Sequence, residues 1–79
     1  MDEELRKAIG KIIRKHRQNK AMSLEKLAEE ANLDGTNIGR FERGEKLPNL
    51  KSFLQIVIAL EMEQNDYLHF VEAILREED

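Results

Sequence analysis

The stretch SLEKLAEEANLDGTNIGRFERG, Ser23 to Gly44, decides the fold. It holds two short helical patterns separated by turn chemistry. Ser23 is a good N-cap, and Leu24, Leu27, Ala28 and Ala31 recur at the spacing of one buried helical stripe. Asn32 stops that helix, because asparagine tolerates the left-handed backbone that a tight turn between helices needs. Leu33 plugs the core and Asp34 caps the next helix, which runs to about Arg43 before Gly44 ends it. The buried positions of that second helix are Ile38 and Phe41, three apart.

Outward from this pair, the pattern stays helical. Upstream, Leu5, Ile9, Ile12 and Ile13 recur at helical spacing, and the first helix ends near Asn19. Downstream, Leu47-Pro48-Asn49 is a loop, since proline disfavours helix at the residue before it. A fourth helix covers roughly Leu50 to Leu60. Phe53, Leu54, Ile56, Val57, Ile58 and Leu60 make it nearly apolar all round, the pattern of a central helix. A fifth spans about Asn65 to Glu77 with two apolar rows, Tyr67, Phe70, Ile74 and Leu68, Val71, Leu75. One row covers the domain's own core; the second, left in water, calls for a partner. The expected fold is all-α: a single five-helix domain over residues 1–79, with 62–79 forming a C-terminal dimerisation helix whose contacts include Tyr67, Phe70, Val71 and Ile74.

Composition narrows the function. Seventy-nine residues without cysteine exclude a disulfide framework, a thiol nucleophile and a cysteine-based metal site. His16 and His69 lack any metal-ligand spacing, so no metal or cofactor is expected. No run reaches membrane-spanning length, and the acidic start Met1-Asp2-Glu3-Glu4 is the opposite of a secretory signal, so a soluble intracellular protein is expected. No phosphate-binding glycine loop follows a strand, and the carboxylates are scattered over helix surfaces, which argues against an enzyme. The formal net charge is −3, unevenly spread. Residues 1–22 hold seven Lys/Arg against three Asp/Glu, a net of +4, whereas residues 49–79 hold two against seven, a net of −5. Such polarity gives one face that meets an anion and another that does not. Whether the lysines of helix one bind phosphate or merely form its solvated face stays open on these grounds.

Two helices joined by a tight turn have helix-turn-helix geometry, in which the second helix enters the major groove of DNA and reads bases from its N-terminal residues. Those residues are Gly35, Thr36, Asn37 and, one turn on, Arg40. Asparagine bonds bidentately to adenine, arginine to guanine, and threonine offers a hydroxyl and a methyl. Gly35 and Gly39 each cost up to about 1 kcal/mol against alanine within a helix. Either they allow close approach to DNA or to another helix, or packing simply tolerates them.

The stretch from Met22 to Leu60 resembles the helix-turn-helix domain of Cro and the lambda-type phage repressors, also called the xenobiotic-response-element family. The matching elements are Arg17, Leu27-Ala28, Ile38, Glu42, Gly44, Pro48 and Leu50, all in register over roughly residues 9–60. Total length and the fifth helix look most like the small controller proteins of restriction–modification systems. The resemblance implies a partly buried ion pair between Arg17 and Glu42, base contacts from Thr36, Asn37 and Arg40, and phosphate contacts from Ser23, Arg43, Lys46 and Asn49. It also implies a homodimer on a pseudo-palindromic double-stranded operator, with no small-molecule ligand and no membrane partner. The setting would be the cytoplasm of a bacterium or of a phage's host, on the nucleoid when bound. The sequence departs from the family at Leu24, where a glutamine is usual, at Gly35, where many members carry a long polar reader, and at Ala21, a common glycine. The first two departures remove contacts and leave more readout to DNA shape. Within the family, a restriction–modification controller and a phage or plasmid repressor are both open. A protein-interaction module that keeps the fold without binding DNA is the reading from another class.

Overall fold

The computed structural model describes residues 2–63 together with Glu72 and Arg76. Among these residues there are four helices and no strand: α1 (Asp2–Asn19), α2 (Leu24–Ala31), α3 (Gly35–Glu42) and α4 (Leu50–Ala59). The proposed fifth helix, with Tyr67, Phe70, Val71 and Ile74, lies outside the described residues.

Each boundary has a local chemical cause. The Ser23 hydroxyl accepts from the Lys26 N–H at 3.0 Å and starts α2. Asn32 adopts φ 57, ψ 46, the left-handed conformation expected of it. Its N–H then reaches the Glu29 carbonyl at 3.2 Å while the Leu33 N–H reaches that of Ala28 at 2.9 Å. That pair of bonds satisfies carbonyls the helix end would otherwise orphan. Asp34 accepts from the Thr36 N–H at 2.8 Å and starts α3. Gly44, at φ +75, turns the chain out of α3. The Asn49 side chain accepts from the Ser52 N–H at 2.8 Å and starts α4.

The core draws on all four helices: Ile9 and Ile13 from α1, Leu27, Ala28 and Ala31 from α2, Ile38 and Phe41 from α3, Ile56 and Ala59 from α4 and Leu60 just after it. Leu27, Ile38 and Ile56 are its most deeply buried large side chains. Burying side chains of this size contributes roughly 1.5–3 kcal/mol each. Leu24 and Leu33 pack against this cluster from the turn region.

The expectation of a central fourth helix is corrected. α4 buries Ile56 and Ala59, but Leu50 and Ile58 are 72% and 75% exposed and Leu54 is also exposed. It packs along α2 at the edge of the bundle. Its second apolar face, Leu50, Leu54 and Ile58 at spacings of four, points away from the core cluster.

Candidate nucleic-acid interface

α3 is held against the core by Ile38 and Phe41, so its opposite side faces outward. Thr36 and Arg40 are exposed there, and Gly35 and Asn37 are half-buried. Arg40 makes no salt bridge among the described residues, so its guanidinium is available to a base edge. The Asp34 cap fixes the N-terminal turn from which these side chains project.

The position of α3 relative to α1 is set by a charged clamp. Arg17 Nε donates to Glu42 Oε2 at 2.6 Å and Nη2 donates to Oε1 at 3.0 Å, a two-pronged pair. Arg17 Nη1 also donates to the Met22 carbonyl at 2.9 Å, tying in the segment before α2. The side chains are only 13% and 6% exposed, so water screens the pair weakly. Donation to the Glu42 carboxylate raises the Arg17 pKa above its ordinary value, against an opposing cost of burial. α1, α3 and the segment leading into α2 thus meet at one guanidinium.

The residues expected at phosphates lie around the rim of α3. Among the described residues, Ser23 accepts in its cap and its hydroxyl proton has no acceptor, and Asn49 caps α4 through its oxygen while its amide NH2 is uncommitted. Lys46 is exposed and makes no ion pair among the described residues. Arg43 Nε is held by Glu45 Oε2 at 2.6 Å in an exposed pair. That hydrogen bond raises the Arg43 pKa and lowers that of Glu45.

Neither Gly35 nor Gly39 is a point of close approach between helices. A Cβ at Gly35 would meet only the Ala28 Cβ, at an ordinary 3.9 Å, so no helix presses on it. A Cβ at Gly39 would meet side chains alone, Arg43 Nη1 at 3.0 Å and Leu24 Cδ1 at 3.8 Å. The close approach of helices lies instead at Gly10 of α1. There a Cβ would collide with the backbone carbonyls of Phe41 and Glu42. Sequence reasoning missed it, although a glycine inside a helical run is the signal for such a contact. It also missed Arg6, whose Nε donates to the Gly44 carbonyl at 3.1 Å and closes the end of α3 against α1.

Among the described residues no group of three or more His, Cys, Asp or Glu side chains is arranged to hold a metal ion, and no helix is long and apolar enough to cross a membrane. No curated protein sequence matches the chain. Solved structures do. The restriction–modification controller protein C.AhdI from Aeromonas hydrophila is 31% identical, with a TM-score of 0.73 over 77% of this chain and 92% of its own. The wild-type controller protein C.Esp1396I is 33% identical, with a TM-score of 0.75 over 92% of this chain and 91% of its own. The C.Esp1396I tetramer in complex with its natural 35 base-pair operator is 32% identical, with a TM-score of 0.76 over 90% of this chain and 95% of its own. The helix-turn-helix family model matches residues 13–63, taking in the C-terminal part of α1 and all of α2, α3 and α4. With that match and the full-length likeness to the controllers, the chain belongs to the helix-turn-helix family of Cro and lambda-type repressors.

Proposed function

We infer that this protein is a sequence-specific DNA-binding transcriptional regulator that acts as a homodimer, with control of a restriction–modification operon as its setting. The observation that carries the reading is the outward face of α3. Thr36, Asn37 and Arg40, which makes no ion pair among the described residues, project from a capped helix that Ile38 and Phe41 hold to the core. The likeness to controller proteins, one of them in complex with its operator, supports the same partner. Thr36, Asn37 and Arg40, with the Gly35 backbone beside them, meet bases, while Ser23, Arg43, Lys46 and Asn49 meet phosphates. The work is recognition and not catalysis, carried out in the cytoplasm and, when bound, on the nucleoid.

The dimer places two α3 helices in successive major grooves, about 34 Å apart on a pseudo-palindromic site. Two features support it. The outer face of α4 leaves Leu50, Leu54 and Ile58 exposed. Residues 62–79 carry apolar rows at helical spacing, and Glu72 and Arg76 within them are helical and paired at 2.7 Å, one turn apart. A fifth helix over about 65–77, contributing Tyr67, Phe70, Val71 and Ile74, completes a single domain over 1–79. The acidic C-terminal third lies away from DNA, where it limits non-specific binding.

The test is an electrophoretic mobility shift with DNA from upstream of the protein's own gene, titrated with random competitor at two salt concentrations. A complex that survives competitor, weakens with salt and disappears in Arg40→Ala is the expected result. Complete loss to competitor, or an Arg40→Ala variant that binds normally, overturns the reading.

A further inference from the structure

An open cleft of about 270 Å³ lies where α1, α2 and α3 meet, lined by Arg14, Arg17, Leu24, Gly39, Glu42 and Arg43. Its charges are unevenly satisfied. Arg17 is neutralised within the cleft by Glu42, and Arg43 is engaged through Nε by Glu45. Arg14 is exposed and makes no ion pair or hydrogen bond among the described residues. The cleft therefore presents an uncompensated guanidinium beside a second one whose terminal nitrogens are free of Glu45.

Gly39 shapes the opening. The Arg43 Nη1 lies 3.0 Å from where a Gly39 Cβ would stand, so the guanidinium lies across the glycine. A side chain at position 39 would displace it. The cleft is continuous with the reading face, because Thr36, Gly39 and the C-cap residue Arg43 follow one another along α3 and its end at helical spacings of three and four.

We propose that this cleft seats a phosphodiester of the DNA backbone, gripped between Arg14 of α1 and Arg43 at the C-cap of α3, and that the cost of glycine at position 39 is tolerated to keep the cleft open. The proposal rests on the reading of α3 as the groove-binding helix and adds α1 to the interface. Planar guanidinium forks match phosphate oxygens two at a time. A phosphate held at the junction of three helices fixes the register of α3 in the groove without reading sequence.

The test is fluorescence anisotropy with a random-sequence duplex and with the upstream duplex, each over a series of salt concentrations. Losing one phosphate contact lowers the slope of log affinity against log salt by about one, a roughly eightfold weakening near 0.1 M salt, on both duplexes alike. Arg14→Gln shows this loss, whereas Arg14→Lys keeps the slope. The melting temperature of Arg14→Gln stays at the wild-type value, because the side chain is exposed and has no partner among the described residues. In the upstream duplex, a single neutral methylphosphonate at the seated position weakens the wild type and leaves Arg14→Gln unaffected. If the wild type binds and Arg14→Gln retains its affinity and slope, the cleft proposal fails and the functional reading stands. If the wild type binds neither duplex, both fail.

Discussion

A Cβ added to Gly10 would stand 2.6 Å from the carbonyl oxygen of Glu42 and nearer still to that of Phe41. The obstacles are backbone atoms, which no rotamer change can move. α1 and α3 are therefore in contact where α3 ends, one turn of α1 before Ile13 enters the core. Gly10→Ala should separate the two helices and cost about 2–3 kcal/mol or more, the scale of overpacking in a tight site. Gly35→Ala makes the opposite case. Its Cβ has room, so it should be neutral or stabilise by up to about 1 kcal/mol. Urea unfolding of both variants checks the pair, and equal effects would show that the packing at Gly10 is not decisive.

Ala21 stands at φ 55 and is exposed, in the turn between α1 and α2. An L-residue in the left-handed region costs roughly 1–2 kcal/mol relative to the right-handed one. Glycine removes that cost but gains freedom in the unfolded chain. Ala21→Gly should therefore raise stability by about 0.5–1 kcal/mol, seen as a higher melting temperature. An unchanged or lower melting temperature would show that the turn carries no strain.

The Arg17–Glu42 pair should be costly to break from one side and cheap to replace from both. Arg17→Met leaves the carboxylate of Glu42 with little access to water and frees the Met22 carbonyl. A loss of about 3 kcal/mol is expected. Arg17→Met combined with Glu42→Leu should recover much of it, giving a coupling energy that a double-mutant cycle reads directly. Additive losses would mean that the pair contributes no mutual stabilisation.

The Arg43–Glu45 pair gives a pH signature. Hydrogen bonding to Arg43 holds the Glu45 carboxyl below its ordinary value. A lowered folded-state pKa contributes stability above the unfolded value and loses it as pH falls through the folded one. The contribution is small because the pair is exposed. The titration itself is the better readout. Carboxyl NMR should place the Glu45 midpoint below that of an unfolded glutamate, and Arg43→Gln should return it to the ordinary value. An identical midpoint in the two proteins would show that the pair does not persist in solution.

What was legible in the sequence was local. Ser23, Asn32, Asp34 and Gly44 mark helix ends through their own side chains or backbone freedom, and each occupies the boundary it signalled. Gly10 carries the same local signal as Gly35 and Gly39, and only its neighbour in space separates it from them. The juxtaposition of Arg17 with Glu42 spans 25 residues and follows from no spacing rule; it came through family likeness. The position of α4 is not legible in this way, because an apolar face reads the same whether its own chain or a partner covers it. At the reading face, residue types suit bases and phosphates, but nothing in the sequence shows that Asn49 spends its oxygen, or Arg43 its Nε, on neighbours.

That ambiguity of α4 yields the last prediction. If Leu50, Leu54 and Ile58 form part of the homodimer contact, a paired Leu54→Glu and Ile58→Glu substitution places four carboxylates in one two-fold interface. Burial of an isoleucine contributes roughly 1.5–3 kcal/mol, so the dimer should weaken at least about a hundredfold and sediment as monomer at micromolar concentration. The fold should persist, because Ile58 is 75% exposed and Leu54 also lies outside the buried core. Phe70→Glu with Ile74→Glu tests the C-terminal segment in the same way. Monomers from both pairs place the interface on α4 and the C-terminal helix together. Monomers from the second pair alone confine it to that helix. A dimer that survives both pairs rules out this surface, and the two copies of α3 must then be spaced by another contact.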